Sequence, residues 1–193
     1  MSTPAAARPS AAREKLVAAA DELFYREGIH AVGVDRIIKE AGVTLATFYR
    51  HFAGKEALVE AYIGVEDAAI RGAFATAAEH ADPDDPRAMV ELVIEALADD
   101  VEHHHTRGCP FINAAVEYPD AASPIRRKVT EHRGWFRDTL VQVLTAAGMS
   151  DPDERAAALV LLRDAAMVGG YLDGADTVRP TFVRTARAAA GLD

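Results

Sequence analysis

The sequence predicts an all-α protein, and three features carry that expectation. Apolar residues return every three or four positions in each long segment, the spacing that places them on one face of a helix. No stretch reads as a convincing strand, and there is no internal repeat or low-complexity tract beyond an alanine bias. Near the N-terminus, the segment Val34–Ala41 runs directly into Gly42 and then into a second short segment crowded with hydrogen-bond donors. Helix, glycine turn, short helix is the helix-turn-helix pattern.

Taken in order, residues 1–10 hold Pro4 and Pro9 among small residues and predict a flexible arm. Ser10 is placed to cap a first helix, in which Ala12, Leu16, Ala19, Ala20, Leu23 and Phe24 recur at helical spacing until Gly28 stops it. Ile29-His30-Ala31 connects to the second helix, with Ile37, Ile38 and Ala41 on one face. Thr44 is a good N-cap for a third helix of barely two turns that ends near Phe52. Phe48 and Phe52 are its inward anchors, while Thr47, Tyr49, Arg50 and His51 project elsewhere. A helix this short is unstable alone and has to be held by its neighbours. In a helix-turn-helix the second helix of the motif enters the major groove of duplex DNA.

After a turn at Ala53-Gly54, a helix is predicted from about Lys55 to about residue 80, with Leu58, Tyr62, Val65 and Ile70 on an apolar stripe towards Phe74. Such a helix is about 38 Å long at 1.5 Å per residue, and Asp82-Pro83-Asp84-Asp85-Pro86 ends it. Arg87–His105 is helical in pattern through Met89, Val93, Ala96, Leu97 and Val101. Gly108 and Pro110 then punctuate, and Phe111–Tyr118 forms a short helix closed by Pro119. Three more follow: Ser123–Ala147 with Pro124 in its first turn, Asp153–Leu172, and Val178–Ala190.

Half of the 193 residues are apolar, enough for an ordinary core in one large or two small domains. One cysteine, Cys109, rules out an intrachain disulfide and suits a reducing compartment. The N-terminal residues lack the apolar run of a signal peptide, and the longest aliphatic run, Ala156–Leu162, is too short to cross a bilayer. A cytoplasmic protein with no membrane partner is expected. The net charge of −9 divides unevenly: residues 1–55 hold eight Lys/Arg against six Asp/Glu, and residues 56–193 hold thirteen against twenty-four. That is the balance of a near-neutral DNA-binding head on an acidic body.

The residues Gly42-Val43-Thr44, Thr47-Phe48-Tyr49-Arg50-His51-Phe52 and Gly54-Lys55-Glu56-Ala57-Leu58 resemble the DNA-binding segment of TetR-type transcriptional regulators (the TetR/AcrR family). The likeness runs without a gap over roughly residues 11–60. It implies a three-helix helix-turn-helix domain over 11–55, followed over 56–193 by a helical bundle that binds an effector and dimerises, about nine helices in all. It further implies a homodimer on a palindromic double-stranded operator, most often a repressor released by a small molecule. By the resemblance, Tyr49, His51 and Lys55 meet the DNA backbone, and Leu45, Ala46 and Thr47 lie nearest the base edges. Thr44, Arg36 and Arg50 complete the candidate DNA-binding set. Two positions depart from the family pattern. Val32-Gly33-Val34 stands where a hydroxyl residue is common, so one phosphate contact is missing or made by the Gly33 amide, and Ala46 replaces a common Gly or Pro.

In the body, Arg107–Asp120 resembles a stretch of the ligand domain in one TetR subgroup. Phe111, Asn113, Tyr118, Trp135 and Met167 are the candidate effector-pocket residues, although Asn113 and Trp135 are equally explained by helix packing. Ala157, Leu161, Ala165, Val168, Gly169 and Leu172 share a broad face of small and apolar residues. The resemblance implies that the last two helices form the dimer interface, and an intramolecular contact has the same character. His103-His104-His105 points to no metal, because successive helical residues project about 100° apart and cannot converge on one tetrahedral ion. No cofactor and no catalytic site are expected. The rival class is a helical enzyme acting on a small lipophilic molecule, for which the sequence offers no nucleophile–base pair or phosphate loop.

Overall fold

Ser10 opens the first helix, α1 (Ala11–Glu27), with its hydroxyl accepting from the Arg13 amide at 3.3 Å. The computed structural model describes residues 10–82 and 84–192, so the expected arm up to residue 9, together with Pro83 and Asp193, lies outside the described residues. α1 stops at Gly28, and α2 (Val34–Ala41) stops at Gly42, whose φ of 63° and ψ of 37° lie in the left-handed region. Glycine reaches that region without the Cβ penalty, which lets the chain reverse sharply into the next helix. α3 (Leu45–His51) starts at Thr44 and α4 (Lys55–His80) follows it.

The chain divides into two compact units, the first ending at Val65 and the second starting at Glu66, so α4 spans the division. The reason is packing. Leu58, Val59, Tyr62 and Ile63 of α4 are buried, and the Tyr62 ring meets Phe24 of α1 edge-on at 5.8 Å. Leu16, Ile37, Phe48, Leu58 and Ile63 are fully buried in the first unit, each worth about 1.5–3 kcal/mol of burial. Val65, expected on the apolar stripe of α4, is exposed, because the buried face runs through Val59 and Ile63 instead.

In the second unit α5 (Pro86–Asp99) is capped by the Asp85 carboxylate, which accepts from the Ala88 amide at 3.2 Å. α5 runs into a π-helical turn, Asp100–His104, then α6 (Pro110–Glu117), α7 (Pro124–Ala146), α8 (Pro152–Asp173) and α9 (Ala175–Ala190). The single helix expected over Arg87–His105 is therefore two elements. The His105 amide donates five residues back to the Asp100 carbonyl at 2.8 Å, which widens the turn. α8 packs against α7 and α9, and α9 also packs against α5. Ile94, Ile125, Leu140, Leu144, Leu159 and Met167 are fully buried there. Gly170 is needed where α8 meets the π turn, since a Cβ would stand 2.5 Å from Val101 Cγ1. α9 begins before the expected Val178 and carries Pro180 inside it. Among the described residues there are nine α-helices and no strand, and no helix is long and apolar enough to cross a membrane.

Candidate nucleic-acid interface and ligand cavity

Phe48 orients α3. Its ring is fully buried and meets Phe52 at 6.0 Å, which turns Thr44, Leu45, Ala46, Tyr49 and Arg50 outward. Leu45 and Tyr49 are 46% and 59% exposed, large for an apolar and an aromatic side chain on a helix with buried neighbours. Thr44 Oγ1 takes two partners, the Thr47 amide at 3.2 Å and the Thr47 hydroxyl at 3.0 Å. Thr47 is half-buried, so its hydroxyl is oriented by the cap. His51 lies 3.1 Å from the Ser10 hydroxyl, which ties the end of α3 to the start of α1. Lys55 Nζ donates to the His30 carbonyl at 3.4 Å and sits 5.9 Å from the Phe24 ring centre. Arg36, exposed on α2, is 3.6 Å from Glu27. Gly33 caps α2 with no side-chain bond. The nine candidate DNA-binding residues thus lie on α2, on α3 and its cap Thr44, and at the first residue of α4 (Lys55), five of the α3 set fully outward and Thr47, His51 and Lys55 partly engaged.

In the second unit a cavity of about 340 Å³ opens among α4, α5, α7 and α8. Its walls are mostly apolar (Ile70, Phe74, Leu92, Val93, Leu97, Phe136), with Arg163, His132, His104, Asp99 and Asp100 as polar members. None of the five residues expected to form a pocket lines it. Phe111 and Met167 are buried to 1% and 0%, spent on the core. Phe111 stacks flat on His132 at 3.6 Å, behind the wall. Trp135 meets the lining ring of Phe74 edge-on at 5.6 Å and carries Arg71 over its own ring at 4.3 Å. Asn113 donates to the Arg107 carbonyl at 3.3 Å, the helix-packing alternative, and Tyr118 follows the end of α6. The lining residues missed in the sequence left one signal: Arg163 is a lone cation in the apolar run of α8.

Two histidines are set by carboxylates. His132 Nδ1 donates to Asp67 at 2.8 Å, and burial together with the nearby Arg163 and Arg71 charges lowers its pKa despite that bond. Burial would raise the Asp67 carboxyl, but Arg71 at 2.7 Å and His132 hold it below its usual range. Burial would likewise lower His105, but hydrogen bonds to Asp100 at 2.7 Å and Glu66 at 3.3 Å push it up to about 9. Cys109 is buried, with Arg163 Nη1 donating to its Sγ at 3.0 Å. His103 comes together with Asp99 and Glu102 within 4.8 Å, but the cation there is Arg179, 2.6 Å from Asp99 and 3.2 Å from Glu102.

Of the candidate interface residues, Ala157, Leu161, Ala165, Val168 and Leu172 are exposed on α8, Leu161 and Leu172 at 70% and 69%. Gly169 is different. It is half-buried, and a Cβ there would meet Val178 of α9 at 3.2 Å.

Residues 16–62 match the family model described as bacterial regulatory proteins, tetR family, and residues 86–188 match the tetracyclin repressor-like C-terminal domain. A regulator from Bacillus subtilis, LmrA, is 28% identical over 83% of this chain and 84% of its own. The activator FasR of Mycolicibacterium smegmatis is 30% identical over 59% of this chain, a match that spans about half of that relative's length (52%). The crystal structure of a TetR-family transcriptional regulator from Streptomyces coelicolor superposes with a TM-score of 0.88 at 40% identity, over 94% of this chain and 95% of that one. With a helix-turn-helix over α2 and α3 and both family domains matched in order, this chain belongs to the TetR family of DNA-binding transcriptional regulators.

Proposed function

We propose that the protein is a cytoplasmic homodimeric repressor that holds a palindromic operator through α3 and releases it when a small ligand fills the cavity among α4, α5, α7 and α8. The observation that supports it most is the outward face of α3: Leu45, Ala46 and Thr47 offer methyl and hydroxyl groups to base edges, and Tyr49, Arg50 and Lys55 offer donors to phosphates. Arg36 and His51 flank that face, and Thr44 fixes its start. Val168, Leu161 and Leu172 on α8 leave an apolar strip that a second copy would cover.

The ligand acts only if it binds the operator-incompetent form more tightly. A thousandfold loss of operator affinity takes roughly 4 kcal/mol, about half from each of two subunits. α4 contributes Ile70, Ala73, Phe74 and Ala77 to the cavity and Leu58 to the core of the first unit, so a ligand pressing on it strains a helix used by both. The enzyme reading has less support. Cys109 is partnered by Arg163, whose guanidinium stays protonated and makes no general base.

The test selects operators from random duplexes with the full-length protein and follows binding by fluorescence anisotropy. Selected duplexes should be palindromic with half-sites about one turn apart or slightly more. Selection of non-palindromic sequence bound by a monomer overturns the reading.

A further inference from the structure

One polar member of the cavity keeps donors that no partner among the described residues engages. Asp99 shares Arg179 with Glu95 and Glu102, and Asp100 shares His105 with Glu66. His132 adds no cation, because burial and the Arg163 and Arg71 charges lower its pKa despite the bond to Asp67. Arg163 is the exception. Its paired carboxylate, Asp164 at 3.4 Å, is held more closely by Arg133 in a two-bond fork at 3.1 and 2.7 Å, and Asp100 stabilises its charge from farther off. Two guanidinium groups therefore share one carboxylate.

Arg163 is only 6% exposed yet lines the cavity. Nη1 is its engaged nitrogen, donating to Cys109 at 3.0 Å and to Asp164. That leaves the edge formed by Nε and Nη2, whose parallel N–H bonds match the two oxygens of a carboxylate. A buried cation with free donors is costly unless a guest completes it. The remaining wall, from Ile70 and Phe74 through Leu92, Val93 and Leu97 to Phe136, suits hydrocarbon or an aromatic ring.

We infer that this cavity binds a small apolar molecule carrying one carboxylate, with the acid paired to Arg163 and the body lodged between α4, α5 and α7. The inference rests on the cavity being the effector site. It adds to that reading the chemical class of the effector.

The test uses matched probes on the full-length protein: 4-butylbenzoate and decanoate against their methyl esters. Binding is read by calorimetry and by the fluorescence of Trp135, which packs on the lining ring of Phe74. The acids should bind at least about tenfold tighter than the esters, the worth of a charged hydrogen-bonded pair. Arg163→Gln should erase that preference while keeping the ester's affinity, and Ala73→Phe should weaken acid and ester alike. Equal binding of acid and ester, an acid preference that survives Arg163→Gln, or no binding of either acid at millimolar concentration overturns the inference. If Arg163→Gln fails to fold, Asp164→Asn keeps the question open to test: freeing Arg163 from the shared carboxylate should raise the acid preference, and an unchanged or lower preference overturns it. Operator release separates the two readings. Acids that bind with the stated preference but leave operator affinity unchanged uphold the site and sink its role as effector. Release by the esters as readily as by the acids sinks the carboxylate and leaves the effector reading standing.

Discussion

Thr44 does two jobs with one oxygen, accepting from the Thr47 amide and meeting the Thr47 hydroxyl. Thr44→Ala should therefore cost about 1 kcal/mol in a urea melt and also free the Thr47 hydroxyl, changing which bases the operator selection returns. Tyr49→Phe should do the opposite: with the ring 59% exposed, the melt stays put while affinity falls for every operator alike. A shift in base preference with Tyr49→Phe would count against its phosphate role. His105 gives a pH signature. Its folded pKa of about 9 lies above the ordinary 6.5. The stability it contributes is therefore fully present below pH 6.5 and lost as pH rises through 9. The amount is about 3 kcal/mol. Urea melts of the second unit, followed through Trp135, should weaken across that window, and His105→Gln should flatten the dependence. An equal slope in wild type and variant would refute the assignment.

At the scale of the helix, α8 carries two kinds of small or apolar position that look alike in sequence. Leu161, Ala165 and Leu172 are exposed, whereas Gly169 is pressed towards Val178. Leu161→Glu should give a folded monomer by light scattering at micromolar concentration, with unchanged helicity and little operator binding. Gly169→Asp should instead lower the melting midpoint, because the new side chain meets α9 of its own chain before it meets a partner. A dimer that survives Leu161→Glu would remove α8 from the interface. The π turn after α5 shows why some element ends escape local rules. Its widening bond runs from His105 to Asp100, and the His105 ring is held by Glu66 of α4, far away in the chain.

For the whole molecule the division of charge matters most. Residues 56–193 carry the excess acid, and residues 1–55 the small basic surplus. Operator affinity should fall steeply with salt, since a dimer that neutralises ~6–10 phosphates releases nearly as many counterions. Lys55→Ala should lower that slope as well as the affinity, because its ammonium would leave the backbone contact. A slope unchanged by Lys55→Ala would leave the lysine to its bond with the His30 carbonyl and its place near Phe24.

The capped helix starts and the outward face of α3 were legible before any fold was known, because both are decided within a few residues. A cap is satisfied three residues on, as at Ser10, Thr44 and Ser123. Phe48 and Phe52 turn the rest of α3 outward whatever packs behind them. Family likeness follows the same local segment, so the class of function was readable there too. The cavity was not. Its lining comes from four helices and the π turn, between Ile70 and Arg163. Aromatic or apolar character alone does not tell a residue that faces a cavity, such as Phe136, from one spent on the core, such as Phe111. Folding set Phe111 flat against His132 and left Arg163 with two cations to one carboxylate. That balance of charge is a property of side chains brought together from distant helices, and only the tertiary structure decides it.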